Sequence, residues 1–152
     1  MNRLALLLAG SAVLAVATIT PASASTASAG EVDTVTSCGN SGLQSGLSTR
    51  LCAEVTGTTV EFYGTVGLAG PPSPGGPGPA PKELITTLST EVVGSGAAPT
   101  QQIAHVLFTS ANLQVRGSAA TVPCGSTVRA TFGVASFPWA PRPVAHEVVI
   151  TC

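Results

Sequence analysis

Hydrophobic and polar residues alternate with a period of two over most of the chain. In the clearest case, Val60, Phe62 and Val66 share one parity, while Thr59 and Glu61 share the other. Because successive side chains of a β-strand point to opposite faces of the sheet, this alternation predicts half-buried strands. The pattern predicts an edge strand over Val32–Ser37 and seven further strands, over Thr49–Thr56, Thr59–Leu68, Leu84–Val92, Gln101–Thr109, Leu113–Arg116, Ser126–Ala135 and Pro143–Cys152.

These strands predict an all-β fold. The sequence shows no sustained 3.6-residue period, and its 17 Gly and 12 Pro, spread along the chain, disfavour helices. Seven or eight short strands in a domain of this length are typical of an antiparallel β-sandwich, and we expect an immunoglobulin-like Greek key. The segment Gln101–Thr109 is apolar on both parities, which favours a central strand or a bend between the sheets.

The first 24 residues have the parts of a secretory signal peptide. A basic residue near the N-terminus is followed by an apolar stretch over Leu4–Ile19 and by the small residues Ala22-Ser23-Ala24. We expect cleavage after Ala24, with cleavage after Ala29 as the second choice. The apolar stretch is shorter than the roughly 20 residues that span a bilayer, which argues against a membrane anchor. Residues 25–152 are therefore expected to form a single secreted β-sandwich domain.

Four cysteines lie in the expected mature chain. An even number in an exported chain predicts two disulfides. We favour Cys38–Cys52 and Cys124–Cys152, because short loops close at lower entropic cost. The alternative, Cys52–Cys124 with Cys38–Cys152, would suit a bridge between the sheets of an immunoglobulin-like domain. No CxxC pair is present, which argues against a zinc site.

Composition and charge narrow the classes of function. Only 9% of the residues are charged, six basic against seven acidic. Without a surplus of Lys and Arg the chain cannot neutralise a phosphate backbone, so we expect no nucleic-acid partner. The bias towards Ala, Gly, Thr and Val, with Arg preferred to Lys, is similar to the composition of secreted actinobacterial proteins. Residues 70–81 contain ten Gly or Pro in twelve positions, which predicts a loop, since such a segment forms neither a ladder nor a helix.

The ionisable residues form no catalytic or metal-binding pattern. Asp33 is the only Asp of the mature chain, and no Gly-x-Ser-x-Gly motif marks a nucleophile. We expect His105 and His146 to be buried or at the rim of the sandwich, bonded to the backbone. Five glutamates lie on polar strand positions, where a solvated face is the ordinary explanation: Glu54, Glu61, Glu83, Glu91 and Glu147. We therefore predict no catalytic residue, no metal and no cofactor.

A stiff aromatic loop is the most suggestive feature. Residues 137–143 contain three prolines and Trp139, the only Trp of the chain. An aromatic ring on a stiff loop loses little entropy on binding, and Trp is enriched at binding hot spots. The candidate contact residues are Phe137, Trp139 and Arg142 of this loop, with His146 of the next strand. The alternative is that Trp139 folds back over the open end of the sandwich.

Together these features predict a secreted, non-catalytic β-sandwich that binds an extracellular protein, a glycan or a small molecule, or acts as an accessory protein of the cell envelope. One alternative is a proteinaceous inhibitor of an extracellular hydrolase, which would present a stiff loop such as 117–126 or 137–143. The other is a small secreted hydrolase. We expect no membrane span in the mature chain.

Overall fold

The computed structural model describes residues 33–71, 74–75, 78–109 and 111–152, so the expected signal peptide and its cleavage sites lie outside the described residues. Within these ranges the chain forms ten strands in two antiparallel sheets, and no helix in them could span a membrane. The strands are β1 (Thr34–Cys38), β2 (Gly42–Gln44), β3 (Leu47–Thr56), β4 (Thr59–Leu68), β5 (Lys82–Val92), β6 (Thr100–Phe108), β7 (Asn112–Arg116), β8 (Ala120–Thr121), β9 (Thr127–Ala135) and β10 (Val144–Val149).

The alternation of the sequence reappears as alternation of burial, which confirms the all-β fold. In β4, Val60, Phe62 and Val66 are buried, while Thr59 and Glu61 are partly exposed. Each strand predicted from this pattern is present, with ends that differ by a few residues. The short strands β2 and β8 were not predicted, because two or three residues are too few to display a period.

The two sheets enclose one hydrophobic core. In the first sheet β3 and β4 are central; β1 and β2 pair with the outer edge of β3, and β7 and β8 with that of β4. The second sheet has the order β10-β9-β5-β6. Leu51 and Phe62 of the first sheet pack with Leu84 and Phe132 of the second. The ring of Phe132 lies where a side chain at Gly64 would be, so the close approach of the sheets requires glycine there.

Both favoured disulfides are present. Cys38–Cys52 joins residues that lie opposite each other on β1 and β3, and Cys124–Cys152 joins the turn before β9 to the segment after β10. The alternative pairing is therefore wrong. Each bridge closes a short loop and contributes on the order of 3 kcal/mol by restricting the unfolded chain.

The expectation for the segment around β6 is wrong. It was expected to be a central strand or a bend between sheets, but β6 lies at the edge of the second sheet and pairs with β5 alone among the described strands. Its second apolar parity faces solvent, with Ile103 and Leu107 exposed by 61% and 56%. In β6, apolar residues on both parities therefore give one face that packs on the core and one apolar face that is exposed to solvent.

Candidate binding surface

The loop between β9 and β10 begins with a tight turn that projects an aromatic ring. The backbones of Ser136 and Trp139 bond reciprocally: Trp139 N–H donates to the Ser136 carbonyl at 2.6 Å, and Ser136 N–H donates to the Trp139 carbonyl at 3.3 Å. Phe137 at the tip of this turn is 99% exposed, and Trp139 is 64% exposed. Trp139 therefore does not cover the end of the sandwich, and both rings are available to a partner.

Prolines hold the rest of this loop against β9. Pro141 and Pro143 lie over Gly133, where an added Cβ would be 3.3 Å from Pro141 Cβ and 3.5 Å from Pro143 Cγ. Pro143 has no N–H to donate, and the ladder between β9 and β10 begins only at the next pair, Val144 with Phe132. One edge of β9 is thus left without a strand partner beyond Phe132.

The buried side chain of Gln44 fills that gap. Its Nε2 donates to the Phe132 carbonyl at 3.0 Å, and its Oε1 accepts from Val134 N–H at 2.8 Å. A side-chain amide has the same donor and acceptor as a peptide group, so Gln44 substitutes for one residue of the missing strand. The same Oε1 accepts from Arg142 N–H at 3.2 Å, and Nε2 also donates to Thr49 Oγ1 at 2.8 Å. Gln44 thereby fixes the loop backbone.

A groove lies on the Trp139 side of the loop. It has a volume of about 600 Å³, and its lining includes Leu43, Lys82, Trp139, Pro141 and Arg142. The Lys82 ammonium donates to a backbone carbonyl of the β2–β3 turn. In the described part of the chain no carboxylate pairs with the Arg142 guanidinium. The groove therefore places the indole ring of Trp139 beside the guanidinium of Arg142, which has no carboxylate partner among the described residues.

An apolar surface lies on the Phe137 side of the loop. The groove there has a volume of about 690 Å³ and is lined in part by Ile85, Leu107 and Phe137. Ile85 of β5 is paired with residues of both β6 and β9, so outward side chains of three strands lie side by side. We call Ile85, Ile103, Leu107 and Phe137 the apolar face. His105 is exposed between Ile103 and Leu107 on this edge strand, so it lies at the rim of the sandwich and is not buried.

The ion pairs lie elsewhere on the outer surfaces. Four glutamates are held by two arginines: Glu91 and Glu147 by Arg129, and Glu54 and Glu61 by Arg116. Hydrogen bonds from the Arg116 guanidinium lower the pKa of the Glu54 carboxyl. These four glutamates therefore occupy solvated sheet faces, as the sequence predicted. Glu83 alone of the five lies beside the apolar face.

His146 lies apart from the loop. Its Nε2 is 2.9 Å from Ser37 Oγ on β1, and its ring meets the edge of Phe62 with centroids 6.4 Å apart. Burial lowers the pKa of this imidazole, because the charged form is poorly solvated there. It lines a different groove, with Asp33 and Val35 among its residues. The structure therefore groups Trp139 and Arg142, places Phe137 on the other side of their loop, and separates His146 from all three.

The described residues contain no group of three or more His, Cys, Asp or Glu side chains that could hold a metal ion. Comparison with protein-family models, with curated proteins and with solved structures gives no match for this chain. The loop and the apolar face are therefore the surfaces from which a function can be inferred. The sequence predicted Phe137, Trp139 and Arg142 as contact residues, but not Ile85, Ile103 and Leu107. The apolar character of Gln101–Thr109 on both parities was the only indication of an apolar surface there.

Proposed function

We propose that this protein is a secreted, non-catalytic binding protein that recognises an extracellular protein through Phe137, Trp139 and the apolar face. The observation that carries the proposal is the 99% exposure of Phe137 beside other exposed apolar side chains. Burying a Phe side chain is favourable by about 1.5–3 kcal/mol, but in this fold the Phe137 side chain remains exposed to solvent. A partner that covers Phe137 would gain this free energy of burial on binding.

The held loop supports binding over a purely structural role. Its backbone is tied at Ser136 and Trp139, bonded through Arg142 N–H to Gln44, and packed by prolines on Gly133. A loop fixed before binding loses little conformational entropy when a partner arrives. The loop is therefore suited to presenting Phe137 and Trp139 in fixed positions, one on each of its sides.

The chemistry of the surface favours a protein partner. Ile85 and Leu107 beside Phe137 offer aliphatic area, which suits apolar side chains better than the hydroxyl groups of a glycan. Trp and Arg are enriched at protein–protein hot spots, and Trp139 and Arg142 share one groove. Glycan and small-molecule ligands are the other outcomes of the test.

The test compares three versions of the mature protein as bait in extracellular medium: the native chain, Phe137→Ala/Trp139→Ala, and the control Val35→Ala. Val35 is 63% exposed on β1 and is not part of the apolar face. We expect one protein to be captured by the native chain and the control but not by the double variant. When the purified partner is added back, iodide quenching of Trp139 fluorescence should fall. Equal capture by all three baits would contradict the proposal.

The inhibitor alternative can be tested on the same loop. The other loop considered, 117–126, is bonded to β4 and to the turn before it: Gly117 N–H donates to the Phe62 carbonyl at 2.9 Å, and Val122 N–H donates to the Thr58 carbonyl at 3.0 Å. Residues 137–143 are thus the better candidate for presentation to a protease. Stoichiometric inhibition of a subtilisin-type protease, lost in Phe137→Ala, would replace the proposed function by inhibition.

Export is part of the proposal. Its support is the pair of disulfides, which persist in oxidising compartments, together with the signal-peptide pattern of residues 1–24. Mass spectrometry of the exported protein should show an N-terminus at Ser25, or at Gly30 as second choice, and a mass four hydrogens below that of the reduced chain. A free thiol or a retained N-terminus in a membrane fraction would contradict this.

We also propose that the strand order is an immunoglobulin-like Greek key followed in the reverse chain direction. Constant-type immunoglobulin domains have sheets ordered A-B-E-D and C-F-G. The orders β10-β9-β5-β6 and β7-β4-β3 correspond to these when the chain is read from its C-terminus, with β1 as an additional strand. Inter-strand NOEs that contradict either order would refute this assignment.

A further inference from the structure

The free edge of β6 lacks the features that usually keep edge strands apart. An edge strand exposes unpaired N–H and C=O groups, and proteins block it with charged residues, prolines, bulges or short length. β6 has nine residues, none of them proline, Lys, Arg, Asp or Glu. Its register with β5 is continuous from Thr100 to Phe108. Across the described ranges no strand pairs with its other side, so this edge is a template for another strand.

The other edges are blocked in ways that β6 is not. β7 has five residues and includes Arg116. β10 follows Pro143 and includes Glu147, which is held by Arg129. β1 has only five residues. Among these edges, that of β6 is therefore the one best suited to pair with another strand.

The order of side chains along β6 identifies that occupant as a second copy of the chain. In an antiparallel pair related by a two-fold axis through His105, Ile103 lies opposite Leu107 of the second copy, and Leu107 opposite its Ile103. Ala104 and Val106 face each other in the same way on the inner side. Moving the axis to Ala104 or Val106 would place His105 opposite Ile103 or Leu107. An axis through Ile103 or Leu107 would pair that residue with its own copy and leave the other without a partner in β6. Only the axis through His105 gives both Ile103 and Leu107 an apolar partner from β6 on the outer face.

We propose that this protein forms a two-fold dimer in which two β6 strands pair antiparallel, centred on His105. The two four-stranded sheets then become one eight-stranded sheet. Ile103 and Leu107, exposed by 61% and 56% in one chain, become cross-strand neighbours at the dimer axis. The two apolar faces join into one surface with a Phe137 loop on each side. The dimer goes beyond the proposed function and does not depend on Phe137 or Trp139 binding a partner.

A cysteine scan tests the pairing and its register together. Directly opposite residues of antiparallel strands have Cα atoms about 4.5–5.5 Å apart, within the disulfide range of about 4.4–6.8 Å. We therefore expect His105→Cys to form a covalent dimer on mild oxidation. In the same register two copies of residue 103 are four strand positions apart, about 13 Å, which is too far. Ile103→Cys should stay monomeric on non-reducing gels, whereas Ile103→Cys/Leu107→Cys should cross-link.

Sedimentation equilibrium tests the dimer without added cysteines. The native mature chain should sediment at twice its monomer mass in the micromolar range, and Ile103→Lys/Leu107→Lys should sediment as a monomer with an unchanged circular dichroism spectrum. Val35→Lys, at an equally exposed position on β1, should remain dimeric. A monomeric native chain, or equal cross-linking by His105→Cys and Ile103→Cys, would overturn the proposal. Phe137→Ala/Trp139→Ala should leave the dimer intact, so this result and that of the binding test are separable.

Discussion

Replacing Gln44 with leucine tests whether the side-chain amide substitutes for a strand residue. Leu has a similar volume, but it leaves the Phe132 carbonyl and the Val134 N–H without their partner, and both residues are fully buried. A buried backbone group without a partner costs about 1–3 kcal/mol, so two cost about 2–6 kcal/mol, with a midpoint of about 4. That is a large share of the roughly 5–15 kcal/mol that stabilise a domain. At about 3–5 °C per kcal/mol, Tm should fall by about 12–20 °C.

Urea unfolding followed by far-ultraviolet circular dichroism is the suitable assay, because Trp139 is exposed in the native state and its fluorescence reports unfolding weakly. Gln114→Leu is the matched control: Gln114 is exposed on β7, away from the edge of β6, and its replacement should change the free energy of unfolding by less than about 0.5 kcal/mol. A loss below about 1 kcal/mol for Gln44→Leu would refute the reasoning, since it would mean that water satisfies the edge of β9.

Three further predictions follow from other contacts. Gly64→Ala should destabilise the fold by about 1–3 kcal/mol in urea unfolding, because the new methyl group overlaps the Phe132 ring. Burial lowers the pKa of His146 below 6.5, so at pH values below about 6.5 the unfolded state binds more protons than the folded state. The urea concentration at the midpoint of unfolding should therefore fall as the pH is lowered below about 6.5. In His146→Gln this midpoint should depend less on pH. Shortening residues 70–81 to a few residues should lower Tm by less than ten degrees, because changes of loop length have small entropic effects; a larger fall would show that the loop is packed.

The strands were predictable because each depends on local alternation. The parity of Val60, Phe62 and Val66 requires only that one face of β4 be buried, whichever strand lies beside it. The edge position of β6 was not predictable, because apolar residues on both parities satisfy a buried strand and an exposed apolar surface equally well. The difference lies in the sheet order, which is set by long-range pairing with β5.

The candidate site was predictable only in its loop. The three prolines around Trp139 predict a stiff loop from the sequence alone, because their effect on the backbone does not depend on which strands lie nearby. Ile85 joins the site through its register with β6 and β9, which the sequence does not display. The sequence gives no indication that Gln44 bonds to the edge of β9, because this role arises only where Pro143 leaves β9 without a strand partner.

The position of Lys82 has a practical consequence for biosensor work. Lys82 is the only lysine of the chain, and it lines the groove beside Trp139. Amine coupling to a sensor surface that modifies this side chain would place the matrix over the proposed contact surface and give a false negative. Attachment through a cysteine introduced at Ser95, in the turn after β5, would leave that surface open, because the full length of β5 separates it from Lys82.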